Sequence, residues 1–297
     1  MIDSLNLGLE EARGKYIARM DADDIAEPMR LWQQVQFLDA HLEFVLVGSN
    51  ARIIDADGRV LGRTYMPQAS WWAEWNLFFV CAFIHPSVMF PRHFVMEHGF
   101  RYGTIPAGDT CLRALPSPLE SEDHLLWVRM SRSGQVCNLP MRLMRLRQHQ
   151  ASKSRASNPE VRTGSATIDL WNVSSFLGQP VPPADWWTES SESNETTFPY
   201  WINQLADVYI ERKGLSPHQA AVIRQDVEFR IRLVAGRAQN VVQRLAEAVA
   251  VLARTTVPLA AHQWRSALRF IMGKTGYGRL KQTMRVVENA QRNSRQT

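Results

Sequence analysis

Cysteine is scarce in this chain: Cys81, Cys111 and Cys137 are the only three in 297 residues. Their number is odd and their spacing matches no metal-ligand pattern, which excludes a disulfide framework or a zinc module and favours a reducing, cytosolic setting. Long apolar runs are also missing. The longest, Trp71 to Ile84, is interrupted by Glu74 and Asn76 and is too short and too polar to cross a bilayer. Asp3, Glu10 and Glu11 break any early apolar stretch, so no signal peptide is expected. No internal repeat is found, and nothing resembles a nucleic-acid-binding fold, so DNA and RNA are not expected partners. What remains is a 45% hydrophobic chain with ten Trp, enough for one large or two modest globular domains.

Charge is unevenly spread. Residues 201–297 hold sixteen Lys and Arg against six Asp and Glu, a net +10, whereas residues 1–200 carry −5. A basic tail on an acidic body suggests contact with an anionic surface, and an anionic membrane leaflet is the preferred one. The helix containing Trp264 to Ile271 would be the anchor, or else an ordinary packed helix with its arginines in water.

The densest chemical signal is Arg19-Met20-Asp21-Ala22-Asp23-Asp24-Ile25, three carboxylates within four residues after the apolar run Tyr16-Ile17-Ala18. If that run is a buried strand, the acids lie at its carboxyl end, where open α/β sheets place ligands. Oxygen-only clusters suit a hard cation such as Mg²⁺ or Mn²⁺. In isolation the same residues would read as a solvated turn ahead of a helix.

Around this cluster, the pattern predicts a helix over Ser4–Ala12 ended by Gly14, and a strand over Tyr16–Met20. A helix opens at Pro28 with Leu31, Val35 and Leu38 on one face. Strands are expected at Phe44–Val47 and Ala51–Ile54, followed by a hairpin turn at Asp57-Gly58. Trp71 to Phe79 reads as helical, its tryptophans serving as packing or as a sugar platform. Gly103 to Ser121 reads as an acceptor-side loop. Ser121 would cap a helix running to about Ser133.

Several ordered blocks carry a resemblance. Asn6 through Asp24 is continued by Pro28, Arg30-Leu31, Gln34-Val35 and Val47-Gly48-Ser49. Further blocks are His85-Pro86-Ser87-Val88-Met89, Glu122-Asp123-His124-Leu125-Leu126-Trp127-Val128-Arg129, Asn138-Leu139-Pro140 and Leu146-Arg147-Gln148-His149-Gln150-Ala151-Ser152. Together they resemble the middle and end of a family 2 glycosyltransferase. The resemblance implies a GT-A fold, α/β and Rossmann-like, with a mostly parallel sheet, flanking helices and a C-terminal helical appendage. It implies a partial GT-A domain over 1–154, a linker with short ordered segments over 155–200, and a basic helical region over 201–297. The family's opening strand-helix-strand unit, which needs about 30 residues, is expected to be absent ahead of Asn6, so the base and ribose pocket would be incomplete.

The same resemblance assigns roles. Asp23 would hold the divalent ion, Mg²⁺ or Mn²⁺, with Asp21 at the ribose or a metal-bound water. Asp24 would support the turn, or serve only the following helix's N-terminus. Asp123 would be the general base and Glu122 would orient the acceptor. His85 would lie on the acceptor side. Arg147 would bind the diphosphate and His149 would complete the metal site, although Arg142 and Arg145 lie near enough to compete. A carboxylate in a helix's first turn is stabilised as the anion, which would weaken Asp123 as a base.

The implied reaction is inverting transfer of one sugar from a nucleotide-diphosphate donor, a UDP-sugar first, to a glycan or lipid-linked hydroxyl in surface polysaccharide assembly. Single-sugar addition is favoured because the Q-x-x-R-W signature and membrane helices of processive synthases are lacking. The expected location is cytoplasmic, with peripheral contact at the inner face of the cytoplasmic membrane. The competing reading is a truncated, inactive relative serving as an interaction module.

Overall fold

The computed structural model describes residues 1–105, 112, 121–148, 159–182 and 192–235. The chain divides into two units, Met1–Thr188 and Glu189–Thr297.

In the first unit, α1 (Ile2–Glu11) leads to the short strand β1 (Tyr16–Ala18), and the acidic stretch lies between β1 and β2 (Ile25–Ala26). Helix α2 (Arg30–Ala40) follows, then the eleven-residue β3 (Phe44–Ile54) and β4 (Val60–Arg63). Helix α3 (Ser70–Asn76), a 3₁₀ turn at His85–Ser87, β5 (Met89–Pro91) and α4 (Arg92–Glu97) come next. Helix α5 (Glu122–Ser131), β6 (Gln135–Arg147) and α6 (Pro159–Leu177) complete the unit.

The six strands form one sheet in the order β1-β5-β3-β6-β2, with β4 paired to β3. The chain is α/β as expected, and among the described residues the sheet is mixed. β3 and β6 form the single parallel ladder and the longest one, while every other pairing is antiparallel. A parallel pair needs a crossover of a dozen or more residues, and α3, α4 and α5 lie on the path between β3 and β6. β4 instead returns directly through a hairpin. There Gly58 adopts φ +84°, open to glycine at little cost, and Asp55 Oδ1 accepts the Arg59 N–H at 2.8 Å.

The apolar layer follows from composition. β3 is buried at nearly every position, as a central strand should be, and α5 contributes Leu125, Leu126, Trp127, Val128 and Met130 to the core. Trp75 is fully buried against Phe78 and Phe79, whereas Trp71 and Trp72 pair with each other.

Helix α2 departs from its expected face. Leu31 is exposed, and the buried stripe is Arg30, Gln34 and Leu38. Two polar side chains thus point inward, because backbone carbonyls there need donors. The segment 155–200, expected as a linker with short ordered segments, contains the 19-residue α6, and α6 packs on α5. Arg132 donates to the Asn172 carbonyl and its Oδ1 at 2.9 and 2.8 Å and lies 4.5 Å over Trp171. Buried His124 lies 3.5 Å from buried Asp169. Ser- and Thr-rich composition concealed a helix whose stability comes from this packing.

The second unit contains α7 (Glu192–Lys213) and α8 (Pro217–Ala235), an antiparallel pair joined at Gly214 with φ +57°. Phe198, Ile202, Leu205 and Tyr209 are buried, as are Ile223 and Val227. Among the described residues no helix is long and apolar enough to cross a membrane. The basic stretch around Trp264 lies outside the described residues.

Candidate active site

The acidic stretch closes as a turn, with the Asp24 N–H donating to the Asp21 carbonyl at 3.3 Å. Asp23 is exposed at its apex. Asp21 is 43% exposed and its Oδ2 lies 2.6 Å from Arg19 Nη1. Asp24 is held to the far strand, its Oδ1 accepting the Arg147 N–H at 2.8 Å, and partial burial raises its carboxyl above the usual range. Arg147 turns its guanidinium onto the carbonyls of Asp23 (2.9 Å), Asp55 (3.0 Å) and Ala56 (2.6 Å). It therefore ties the turn to the β3–β4 hairpin, with fewer donors left for a ligand than its position suggests. Arg145 and Arg52 both pair with Glu27, at 2.8 and 2.5 Å, and Arg142 lies 5.3 Å over the Tyr65 ring. His149 lies outside the described residues.

Two polar side chains of α2 support this turn from below. Arg30, 1% exposed, donates to the Arg19 carbonyl at 2.6 Å, to the Val88 carbonyl at 3.4 Å and to Met144 Sδ at 3.0 Å. Its Nε donates to Gln34 Oε1 at 3.2 Å, and Gln34 in turn donates to the carbonyls of Ser87 (2.8 Å) and Val47 (3.3 Å). One helix thereby fixes both the strand end before Asp21 and the His85-Pro86-Ser87 turn.

On the other side, α5 begins with Glu122, which is buried, and Asp123, whose side chain is 24% exposed. Ser121 occupies the cap position without capping, since its hydroxyl pairs with Ser165 at 2.9 Å. Asp123 Oδ1 accepts the His124 N–H at 2.8 Å, and its Oδ2 lies 3.8 Å from His85 Nδ1. Burial raises the Asp123 carboxyl above the usual range. The His124 N–H and the Arg19 charge oppose that shift, and the Asp21 charge adds to it. The expected anion-stabilising helix terminus is therefore outweighed by desolvation.

His85 is pushed down to about 3, by burial first and by the Arg19 charge second, so it is neutral at physiological pH. Its Nε2 faces the Tyr102 hydroxyl at 3.4 Å, and burial drives that phenol well above its ordinary range. Asn6 of α1 secures Tyr102 by two bonds, accepting its N–H at 2.9 Å and donating to its carbonyl at 3.1 Å.

Arg19 therefore acts electrostatically on both halves. It contacts Asp21 directly, and its charge is felt by Asp123, His85 and Tyr102. Sequence reasoning assigned no role to Arg19, Tyr102, Arg30 or Gln34. Only Arg19 carried a usable signal, as the single cation abutting the carboxylates.

Among the described residues no group of three or more His, Cys, Asp and Glu side chains converges to hold a metal ion. Asp21 and Asp23, two carboxylates on an exposed turn, nevertheless fit the habit of Mg²⁺, which takes one or two carboxylates and completes its shell with water and substrate phosphates.

The sequence model of the family described as Glycosyl transferase family 2 matches residues 1–92. An uncharacterised glycosyltransferase of Haemophilus influenzae is 30% identical over 188 residues, 60% of this chain and 54% of that protein. The amylovoran biosynthesis glycosyltransferase AmsE of Erwinia amylovora is 30% identical over 145 residues, 48% of this chain and 49% of AmsE. The O-antigen biosynthesis glycosyltransferase WbnJ of Escherichia coli is 26% identical over 127 residues, covering 43% and 44%. The chain spans about half the length of these curated relatives.

Proposed function

We propose, from the match of residues 1–92 to the family model of glycosyl transferase family 2, that this chain transfers one sugar from a nucleotide-diphosphate donor to an acceptor hydroxyl with inversion. The acceptor is a glycan or lipid-linked glycan of a surface polysaccharide, a reading supported by the names of AmsE and WbnJ. The observation that supports the proposal is that α2 holds both the strand end before Asp21, through Arg30, and the turn carrying His85, through Gln34, with His85 Nδ1 3.8 Å from Asp123 Oδ2.

In the reaction, Asp123 accepts the proton of the acceptor hydroxyl. The freed oxygen bonds to the anomeric carbon as the bond from that carbon to the diphosphate oxygen breaks, and the electron pair leaves with the diphosphate. A raised carboxyl is better matched to this step than an ordinary aspartate. Neutral His85 offers Asp123 a polar neighbour without a competing charge. Asp23 and Asp21 would hold Mg²⁺ or Mn²⁺, which when bound neutralises charge developing on the leaving diphosphate. Glu122, buried at the start of α5, would orient the acceptor side through its neighbours.

The test is release of nucleoside diphosphate from a panel of UDP-, GDP- and dTDP-sugars with Mn²⁺ and lipid-linked acceptors. Turnover of one donor that Asp123→Asn abolishes is the expected result. A chain that turns over no donor, or an Asp123→Asn variant as active as the parent, would overturn the proposal.

A further inference from the structure

The side chain of Arg19 is 10% exposed, and its Nε and Nη1 are buried without any hydrogen-bond partner. Nη1 lies 2.6 Å from Asp21 Oδ2, a charge contact that is not aligned as a hydrogen bond. A guanidinium offers five N–H donors in a rigid fork. Leaving buried donors unmet costs stability, and such orphans in folded proteins call for an explanation.

Arg19 cannot easily turn away. Its N–H donates to the Val88 carbonyl at 3.0 Å and its carbonyl accepts from Arg30 at 2.6 Å, so the backbone carrying it is fixed on both sides. Arg30 is itself a fully buried cation whose acceptors are carbonyls, an amide oxygen and a thioether. Burial and the nearby Arg19 charge bring it down to about 10. Two guanidinium groups therefore lie close together, one of them with unmet donors, and Asp21 is the one carboxylate in ion-pair contact with either among the described residues.

We infer that Arg19 is a ligand-binding residue of this site, its guanidinium available, once Asp21 is displaced, to the oxygens of an anionic group, phosphate or carboxylate. Bidentate N–H to oxoanion pairing is the interaction that satisfies such a fork. The inference deepens the transferase reading. The anion would be either the diphosphate of the donor or the carboxylate of an acidic sugar being joined, and Asp21 is the internal carboxylate that competes with it.

The experiment is calorimetric titration of the full chain with inorganic pyrophosphate, and separately with glucuronate, in EDTA so that no divalent ion contributes. Arg19→Met should weaken one of the two by roughly tenfold to a hundredfold. Loss in the pyrophosphate arm identifies the diphosphate as the anion, and loss in the glucuronate arm identifies an acidic sugar. Asp21→Asn, which removes the internal competitor, should tighten the same arm. A merely structural arginine would not produce opposite shifts in the two variants. Should Arg19→Met melt well below the parent, Arg19→Lys serves in its place, retaining the charge but losing the fork, with a smaller loss expected. Equal affinities in parent and Arg19 variants, or no binding of either anion by the parent, overturns the inference. Pyrophosphate bound through Arg19 in a chain that transfers no sugar would sink the transferase reading and leave this one standing. A transferring chain whose Arg19 variants bind both anions unchanged would do the reverse.

Discussion

The two acidic clusters of this chain have similar composition and opposite surroundings. Asp21 and Asp23 lie on a turn in reach of water, with Arg19 against Asp21, while Asp24 of the same turn is half-buried against the Arg147 backbone and its carboxyl is raised. Glu122 and Asp123 open a helix embedded in the core, beside a neutral imidazole and, among the described residues, with no Lys or Arg in ion-pair contact with Asp123. Carboxylates kept solvated remain anionic and suit a cation or the polar groups of a donor, whereas one that is desolvated holds its proton more readily and suits proton transfer. Position along the chain does not create this difference. Burial does.

The sharpest way to break the contrast is to neutralise each cluster in turn. Asp123→Asn should lower kcat by about a hundredfold to ten-thousandfold, the range of a lost general base, with KM for the donor little changed. Asp23→Ala should instead raise the Mn²⁺ concentration needed for half-maximal turnover, measured by metal titration at fixed donor. If both variants lose activity in the same way, the two clusters are not distinct in role. The parent's kcat should also fall on the acid side of its pH profile at a pH above the ordinary aspartate range, since Asp123 must be ionised to act and burial raises its carboxyl.

A second test addresses what holds the clusters in place. Gln34→Met removes the donors to the Ser87 and Val47 carbonyls and the acceptor for Arg30 Nε. It should destabilise the chain by about 2 kcal/mol, read by urea denaturation, because buried polar groups lose their partners. Unchanged stability would show that the α2 bracket does not support the site.

The third concerns pH and stability. His85 and His124 are depressed to about 3 and about 4, chiefly by burial. Each binds its proton in the unfolded chain near pH 6.5 but not in the folded one. Stability is therefore full above pH 6.5 and falls as pH drops from there towards the folded values. The slope is up to about 1.4 kcal/mol per pH unit for each histidine. His124→Asn should flatten part of that slope in denaturant midpoints measured between pH 6 and pH 4. The smallest effect is expected at Asp24→Asn, which keeps an acceptor for the Arg147 N–H and should cost at most about 1 kcal/mol.

Much of this was legible in advance, for reasons that differ from element to element. The Asp57-Gly58 hairpin was readable because a left-handed residue is needed there and glycine supplies it. The strand before Asp21 and the helix after Pro28 were readable from apolar runs and breakers, though β1 closes at Ala18, two residues sooner than expected. The inward face of α2 was not, since periodicity counts Leu31 as core and gives Arg30 to water. The α6 helix was hidden by its polar composition, and its stability depends on Arg132, His124 and other groups distant in sequence.

The residues of this chain by themselves determined its resemblance to glycosyl transferase family 2, its α/β class and the identity of the carboxylates available for chemistry, because those rest on local pattern and on side-chain type. Only the tertiary structure decided which carboxylate is desolvated, which arginine is already engaged and which is left with unmet donors. Those properties are set by what packs against each group from elsewhere in the chain, and free energies of solvation follow neighbours in space, not neighbours in sequence.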